Sequence, residues 1–319
     1  MRKYEGIKKV ELNCHLDGSL DIELAAKWSK LSKEEITNKL TRTTGIKDLS
    51  NYLEKFEIPL NYLQVKTHLK DAAFELANQM KSENVVYAEV KIAPLLHTKK
   101  GLTLEEIVDS TLLGLKLSEL KSNLILVMKR EASLEDNKKV IKLAKKYLNK
   151  GVVAVDLAGD EGLFPTSTFK ELFDFANEKG VPFVVTAGES GTFKDIDDAI
   201  KFGAKRITHG VRAIKSFNTM ETLKKKNIPL EISLSSNLDM HLYNKYTDHP
   251  VSRLIDSGVS ITINSDNRTL SRTDLSHEYY LLDKYFGFTK DDFKRFNLIA
   301  LEHSFLKDKE KEELRKLLG

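Results

Sequence analysis

The chain has 319 residues, 41% of them hydrophobic and 31% charged. That is enough to bury one large core, and no apolar run approaches the roughly 18 residues needed to span a bilayer. The net charge of +4 is mild, and Lys and Arg alternate with Glu and Asp along stretches such as Lys307–Arg315, the pattern of a solvated helix and not of a nucleic-acid groove. The single cysteine, Cys14, excludes an internal disulfide, a Cys-rich zinc cluster and the deaminases that need two or more cysteine ligands.

The N-terminus is charged at Arg2, Lys3 and Glu5 and leads straight into a strand without the apolar stretch of a signal peptide, so a cytoplasmic protein is expected. Short β-branched runs then alternate with amphipathic stretches. The candidate strands are Lys9–Leu12, Val85–Ala93, Leu124–Met128, Val152–Leu157, Pro182–Thr186, Arg206–His209, Pro229–Ser233 and Val259–Asn264. Between them lie helical patterns at Leu104–Leu120, Leu134–Leu148, Thr168–Lys179 and Asp195–Phe202, with apolar residues three and four apart. Thr103 and Ser133 stand where N-caps belong. The stretch Asp21–Ser82 departs from the alternation. It is almost wholly helical in pattern, clearest at Lys47–Phe56 and Tyr62–Met80, and reads as an insertion after the first strand. Tyr279–Leu318 is helical again.

Eight strands that read as buried on both faces, most followed by a helix, predict an α/β fold of the (β/α)₈ barrel type, one domain over 1–319 with a helical lid at about 21–82 and extra C-terminal helices. No glycine-rich phosphate fingerprint comes after the first strand, which speaks against a dinucleotide-binding sheet. In such a barrel, chemistry sits at the C-terminal strand ends. Those ends offer Asn13, His15 and Asp17 on one face of the first strand, Lys91 on the second, Asp156 and Gly159 on the fourth, and Thr186 and Glu189 on the fifth. The sixth offers His209, the seventh Ser235, Ser236 and Asn237, the eighth Asp266 and Asn267. His15, Glu189, His209 and Asp266 together are the residue types of metal-assisted or acid–base chemistry on a small polar molecule. Strand alternation turns Cys14 away from them. Asp156 is expected to brace the strand-four turn and Asp160-Glu161 to cap the segment beyond it. His97 is read as an ordinary loop histidine, His249 has no motif around it, and Phe56 and Leu60, near Tyr62, are read as helix core over the alternative of an apolar lid.

Six motifs in order, V-E-L-N-C-H-L-D-G-S (10–19), V-D-L-A-G-D-E (155–161), T-A-G-E (186–189), R-I-T-H-G-V (206–211), S-S-N-L (235–238) and T-I-N-S-D-N (262–267), resemble the adenosine deaminase family. The resemblance runs from Lys9 to about Tyr285. It implies a single zinc held by two histidines from the first strand, one from the fifth and an aspartate from the eighth. Here His15 and Asp266 match two of those ligands, while Asn13 and Thr186 stand at the other two. The resemblance further implies Glu189 as the proton donor to the purine, His209 as the residue orienting the metal-bound water, Asp17 as a ribose contact, Gly159 as a backbone contact to the purine, and Asn267 in place of the second residue of an Asp-Asp pair. His15, Asp17, Gly159 and Asn267 are therefore the expected substrate-binding positions, and Glu189, His209 and Asp266 the catalytic ones.

Zinc lowers the pKa of bound water to about 7 and so supplies hydroxide at neutral pH. An amide and a hydroxyl are hard, weak donors that zinc does not prefer. Zinc, expected from the family, is therefore expected to be weak or absent. The reading favoured is a protein that binds a purine nucleoside with zinc-dependent deamination impaired or lost. An active deaminase using a weak or alternative metal stands beside it, and behind both a metal-free enzyme acting on another bond of a nucleoside. No nucleic acid and no membrane is expected as partner, and the sequence leaves the oligomeric state open.

Overall fold

A computed structural model describes residues 2–41 and 55–319. Eight parallel strands succeed one another in sequence order: β1 Lys9–His15, β2 Val85–Ile92, β3 Ser122–Lys129, β4 Val152–Ala158, β5 Phe183–Ala187, β6 Ile207–His209, β7 Leu230–Ile232 and β8 Ile261–Ile263. The ring closes just beyond β8. Asp266 N donates to Asn13 O at 2.8 Å and His15 N to Asp266 O at 2.9 Å, while the side-chain oxygen of Asn264 takes Leu12 N at 3.1 Å. This is the expected (β/α)₈ barrel with its helices outside, and no described helix is long and apolar enough to cross a membrane.

Two differences from the sequence reading bear on the site. β1 continues to His15 instead of stopping at Leu12, because the Glu11 carboxylate accepts Asn13 N at 3.1 Å across a register shift between Glu11 and Cys14. That irregularity carries polar residues deep into the barrel end. Conversely, Ser235, Ser236 and Asn237 do not end the seventh strand. They lie in a short helix, Leu234–Asp239, whose first amides are taken by the buried carboxylate of Glu278, at 2.8 Å from Leu234 N. A side chain far along the chain thus caps a helix that local sequence presents as strand.

The first three helical patterns hold with shortened ends, Leu104–Leu117, Leu134–Tyr147 and Lys170–Glu178 after a 3₁₀ turn at Thr166–Phe169, while the fourth begins two residues earlier, at Phe193–Phe202. Thr103 and Ser133 cap as expected. Between β1 and β2 run helices Ile22–Ser29, Lys33–Leu40, Glu57–Tyr62 and Lys66–Ser82, and most of the expected Lys47–Phe56 helix lies outside the described residues. The C-terminal stretch breaks into Leu275–Phe286, Lys290–His303 and Asp308–Leu318. It closes the N-terminal end of the barrel, where Phe305 N donates to Glu89 Oε1 at 2.7 Å and the Phe305 ring lies 4.5 Å from the Arg206 guanidinium.

Candidate active site

The C-terminal strand ends surround one cavity of about 550 Å³ whose walls include His15, Asp17, Gly159, Thr186, Glu189, His209, Ser236, Asp266 and Asn267. Most of the residues singled out from the sequence therefore share one pocket. Asp17 reaches it from a 3₁₀ turn, Asp17–Ser19, and not from the strand itself. Cys14 packs in the core, its sulfur 3.4 Å from Ser19 Oγ. His209 and Asp266 adopt left-handed backbone angles, φ 62° and 54°, which cost a non-glycine residue roughly 1–3 kcal/mol and recur where a strand end must aim a functional group.

Asp266 is surrounded by neutral donors. Its Oδ2 accepts Ser236 Oγ at 2.6 Å and Asn267 Nδ2 at 2.8 Å, and its Oδ1 accepts Asn13 Nδ2 at 3.4 Å. His15 Nε2 stands 3.7 Å from Oδ1, and burial pushes the pKa of this imidazole down despite the nearby carboxylate. An aspartate at 267 could not donate as the amide does. Gly18 makes that approach possible, because a Cβ there would meet Asn267 Oδ1 at 1.8 Å. Thr186 turns its hydroxyl toward Asp156, 3.4 Å from Oδ2. Among the described residues no group of three or more His, Cys, Asp or Glu side chains is placed to hold a metal ion.

Glu189 and His209 face each other, Oε1 to Nε2, at 3.3 Å. Burial raises the Glu189 carboxyl to about 7, against the pull of His209. A relay fixes the imidazole. Val251 N donates to His249 Nδ1 at 3.1 Å, so the His249 proton sits on Nε2 and meets Asn237 Oδ1 at 3.1 Å. The Asn237 amide then turns its Nδ2 to His209 Nδ1 at 3.1 Å and to Glu189 Oε1 at 3.3 Å. With Nδ1 an acceptor, neutral His209 carries its proton on Nε2, directed at Glu189. His249, without a motif in the sequence, thus orients the pair. Its only signal is a Pro at 250 after a polar residue.

Several supporting groups have other roles than expected. Asp160 caps its own turn, accepting Gly162 N at 2.8 Å, but Glu161 reaches across to Gly188 N at 2.6 Å and Glu189 N at 3.1 Å and holds the T-A-G-E turn. Asp156 does not brace its own turn. It accepts Thr186 N at 3.1 Å and Lys91 Nζ at 2.7 Å, and Lys91 lies beneath the floor, fully buried, and not at the cavity wall. Arg130, unremarked in the sequence, donates to Thr186 O at 2.8 Å. His97 is a buried structural residue bonded to Leu63 O at 2.9 Å. Phe56 and Leu60 line the cavity mouth, contrary to the helix-core reading, while Tyr62 turns to Trp28, 6.4 Å between ring centroids.

Gly159 has φ +135°, and a Cβ there would lie 2.5 Å from Glu131 Oε1. Gly159→Ala is expected to cost about 1–3 kcal/mol of stability through strain and to narrow the cavity wall. Chemical denaturation measures the first effect, and an unchanged midpoint would contradict it.

A family model described as adenosine deaminase matches residues 8–318. An adenosine deaminase of Clostridium botulinum strain Hall is 38% identical over 326 residues, covering 98% of this chain and 97% of its own length. The crystal structure of an adenine deaminase from Arthrobacter aurescens matches with a TM-score of 0.88 at 24% identity, covering 98% of each chain. An Arabidopsis protein, ADAL, complexed with IMP matches with a TM-score of 0.88 at 22% identity, covering 100% of this chain and 98% of its own. At those identities the two solved structures speak to the fold alone.

Proposed function

The chain belongs to the adenosine deaminase family, and from that premise we propose that it binds a purine nucleoside in the barrel pocket while the zinc-dependent hydrolytic deamination of the family is lost. The observation that carries this reading is the surroundings of Asp266. Three neutral donors, Ser236 Oγ, Asn267 Nδ2 and Asn13 Nδ2, satisfy its carboxylate, so the chain itself makes the contacts that a cation would otherwise make. Asn13 presents an N–H where a ligand would present a lone pair. Of the four positions only His15 and Asp266 are zinc donors of ordinary strength, and catalytic zinc sites need three protein ligands. The residues present do not fit zinc, and no step is drawn through it.

What remains suits recognition. Purine ligands are reported for relatives of this fold, IMP for the Arabidopsis structure. In this chain, Glu189 as a carboxylic acid offers a proton to a ring nitrogen, Gly159 offers close approach of backbone, and Asp17 faces the cavity with a carboxylate oxygen that has no hydrogen-bond partner. Ribose hydroxyls would satisfy it. The test is metal analysis of purified protein, the ultraviolet absorbance change of adenosine conversion, and calorimetry with adenosine and inosine. Binding without zinc or turnover is expected. Stoichiometric zinc with turnover, or no binding of either nucleoside, defeats the reading.

Glu189 also imposes a pH dependence, since its carboxyl is raised to about 7 by burial, with His209 opposing the shift and Asp266 and Glu161 adding to it. Below that value it is a neutral acid and can donate. Above it the donor is gone. Affinity for adenosine is expected to be flat below about pH 6 and to fall by roughly tenfold per pH unit well above 7. Calorimetry at pH 6 and pH 8.5 measures it; affinity that rises with pH would assign Glu189 the opposite role.

A further inference from the structure

Charge within the cavity does not balance. Among the described residues five acidic side chains line it, those of Asp17, Glu131, Asp160, Glu189 and Asp266, against the single ammonium of Lys129, and that ammonium stands 3.6 Å from Glu131. The cations closest to the floor are engaged elsewhere. Lys91 is held by Asp156 and Glu231, at 2.7 and 3.4 Å, and Arg130 bonds the backbone of Thr186 and Phe164. Arg212 reaches only the main-chain oxygen of Glu189, at 3.3 Å.

One of the five gives an independent sign. Asp17 is 5% exposed, lines the cavity and has Oδ1 without any hydrogen-bond partner. No ion pair among the described residues reaches it. A buried carboxylate in that state is costly until a donor or a cation arrives. Thr186, whose side chain is smaller than an imidazole, and Asp266 both line the cavity.

We propose that the pocket selects a purine nucleoside whose base carries a positive charge, as an N1-alkylated adenosine does, and disfavours nucleotides. This rests on the reading that the pocket binds purine nucleosides, and goes on to name their charge class. A cationic base placed against Asp266 meets opposite charge in a partly desolvated site, where Coulomb attraction is several-fold stronger than in water. A 5′-phosphate adds like charge to a cavity already rich in it. Phe56, Leu60, Leu96 and Leu163, apolar residues of the same lining, offer contact to alkyl groups and themselves bring no charge to a phosphate.

The experiment is calorimetry at pH 7 and low salt with 1-methyladenosine, adenosine and adenosine 5′-monophosphate. The methylated cation is expected to bind at least about tenfold tighter than adenosine, and the monophosphate at least about tenfold weaker. At about 0.5 M salt the spread should contract, because screening reaches the open side of the cavity. Asp266→Asn, nearly isosteric, should bring the cation and adenosine to within about threefold of one another; if that variant does not fold, Asp160→Asn at the rim should reduce the preference in the same direction, by less. Equal affinity for adenosine and 1-methyladenosine, or monophosphate binding as tight as adenosine, overturns the charge selection and leaves nucleoside binding standing. If none of the three binds, both fall.

Discussion

Asn13→His combined with Thr186→His is expected to yield a protein that holds a single equivalent of zinc and deaminates adenosine. His15 Nε2 and Asp266 Oδ1 are 3.7 Å apart, close to the separation adopted by two donors each about 2 Å from one ion. Two imidazoles complete four ligands. A full structural site is worth on the order of 10–16 kcal/mol in peptide models, so the gain in zinc affinity should span many powers of ten. Thr186 lines the cavity and has space in front of it, but Asn13 is fully buried, and the larger ring there should cost about 1–3 kcal/mol in packing. The double variant is therefore expected to melt lower without metal and to recover on adding it. Asn13→His alone supplies a third donor and should bind zinc more weakly, since the fourth ligand position still carries the Thr186 hydroxyl. Metal analysis with a thermal shift separates the outcomes from activity. A double variant that folds yet takes no zinc would show that the pocket has diverged beyond those two positions.

Much of this site was legible in the sequence because a parallel barrel brings strand ends together wherever they lie along the chain. His15, Asp17, Thr186, Glu189, His209 and Asp266 each come at or after an apolar run, and topology alone carries them to one cavity. What could not be read is whatever depends on side chains meeting across long separations. Asn13 looks like a lost ligand until its Nδ2 is seen at Asp266, and Asn267 looks like a mild swap until it is seen donating to the same carboxylate. The two amides make sense only together. His249 and Glu161 belong to the same class, each reaching by hydrogen bonds a partner distant in the chain that its local sequence does not name.

Strand-seven polarity misled for a related reason. Ser235-Ser236-Asn237 comes after Ile232 as a strand end should, but Glu278, 44 residues beyond Leu234, caps a helix there, and the helix presents Ser236 to Asp266 and Asn237 to His209. The strands themselves held a clue of a different kind. Glu89, Lys91, Arg206 and Glu231 all fall within or beside runs that read as buried on both faces, and charges in such positions have to find one another inside the barrel.

Lys91→Met is expected to lower stability by about 3–5 kcal/mol, and the melting temperature by roughly 4–8 °C for a domain of this size. Lys91 is fully buried, with its ammonium 2.7 Å from Asp156 and 3.4 Å from Glu231 and a further bond to Thr208 at 2.8 Å. Burial works against its charge, yet the two carboxylates outweigh that and hold its pKa above the usual lysine value. Glu231 also takes Arg206, which turns to Glu89 on its far side. Removing Lys91 leaves Asp156 without its cation, and Asp156 is the group that takes Thr186 N at the cavity floor. A methionine fills most of the space, so the loss reports charge and not packing. Burial opposes ionisation of Glu231, but Lys91 and Arg206 depress its carboxyl to about 2. Its contribution is therefore present above about pH 4.5 and is lost as pH falls toward 2. Lys91→Met with Glu231→Gln should cost less than the sum of the two single changes, because the second removes a charge that has already lost one of its two cationic partners. Lys170→Ala, which breaks only the exposed pair with Asp174, should stay within about 0.5 kcal/mol. If Lys91→Met melts within about 1 °C of the parent, the buried network contributes far less than its geometry implies, and the support it gives the cavity floor must come from the surrounding strands instead.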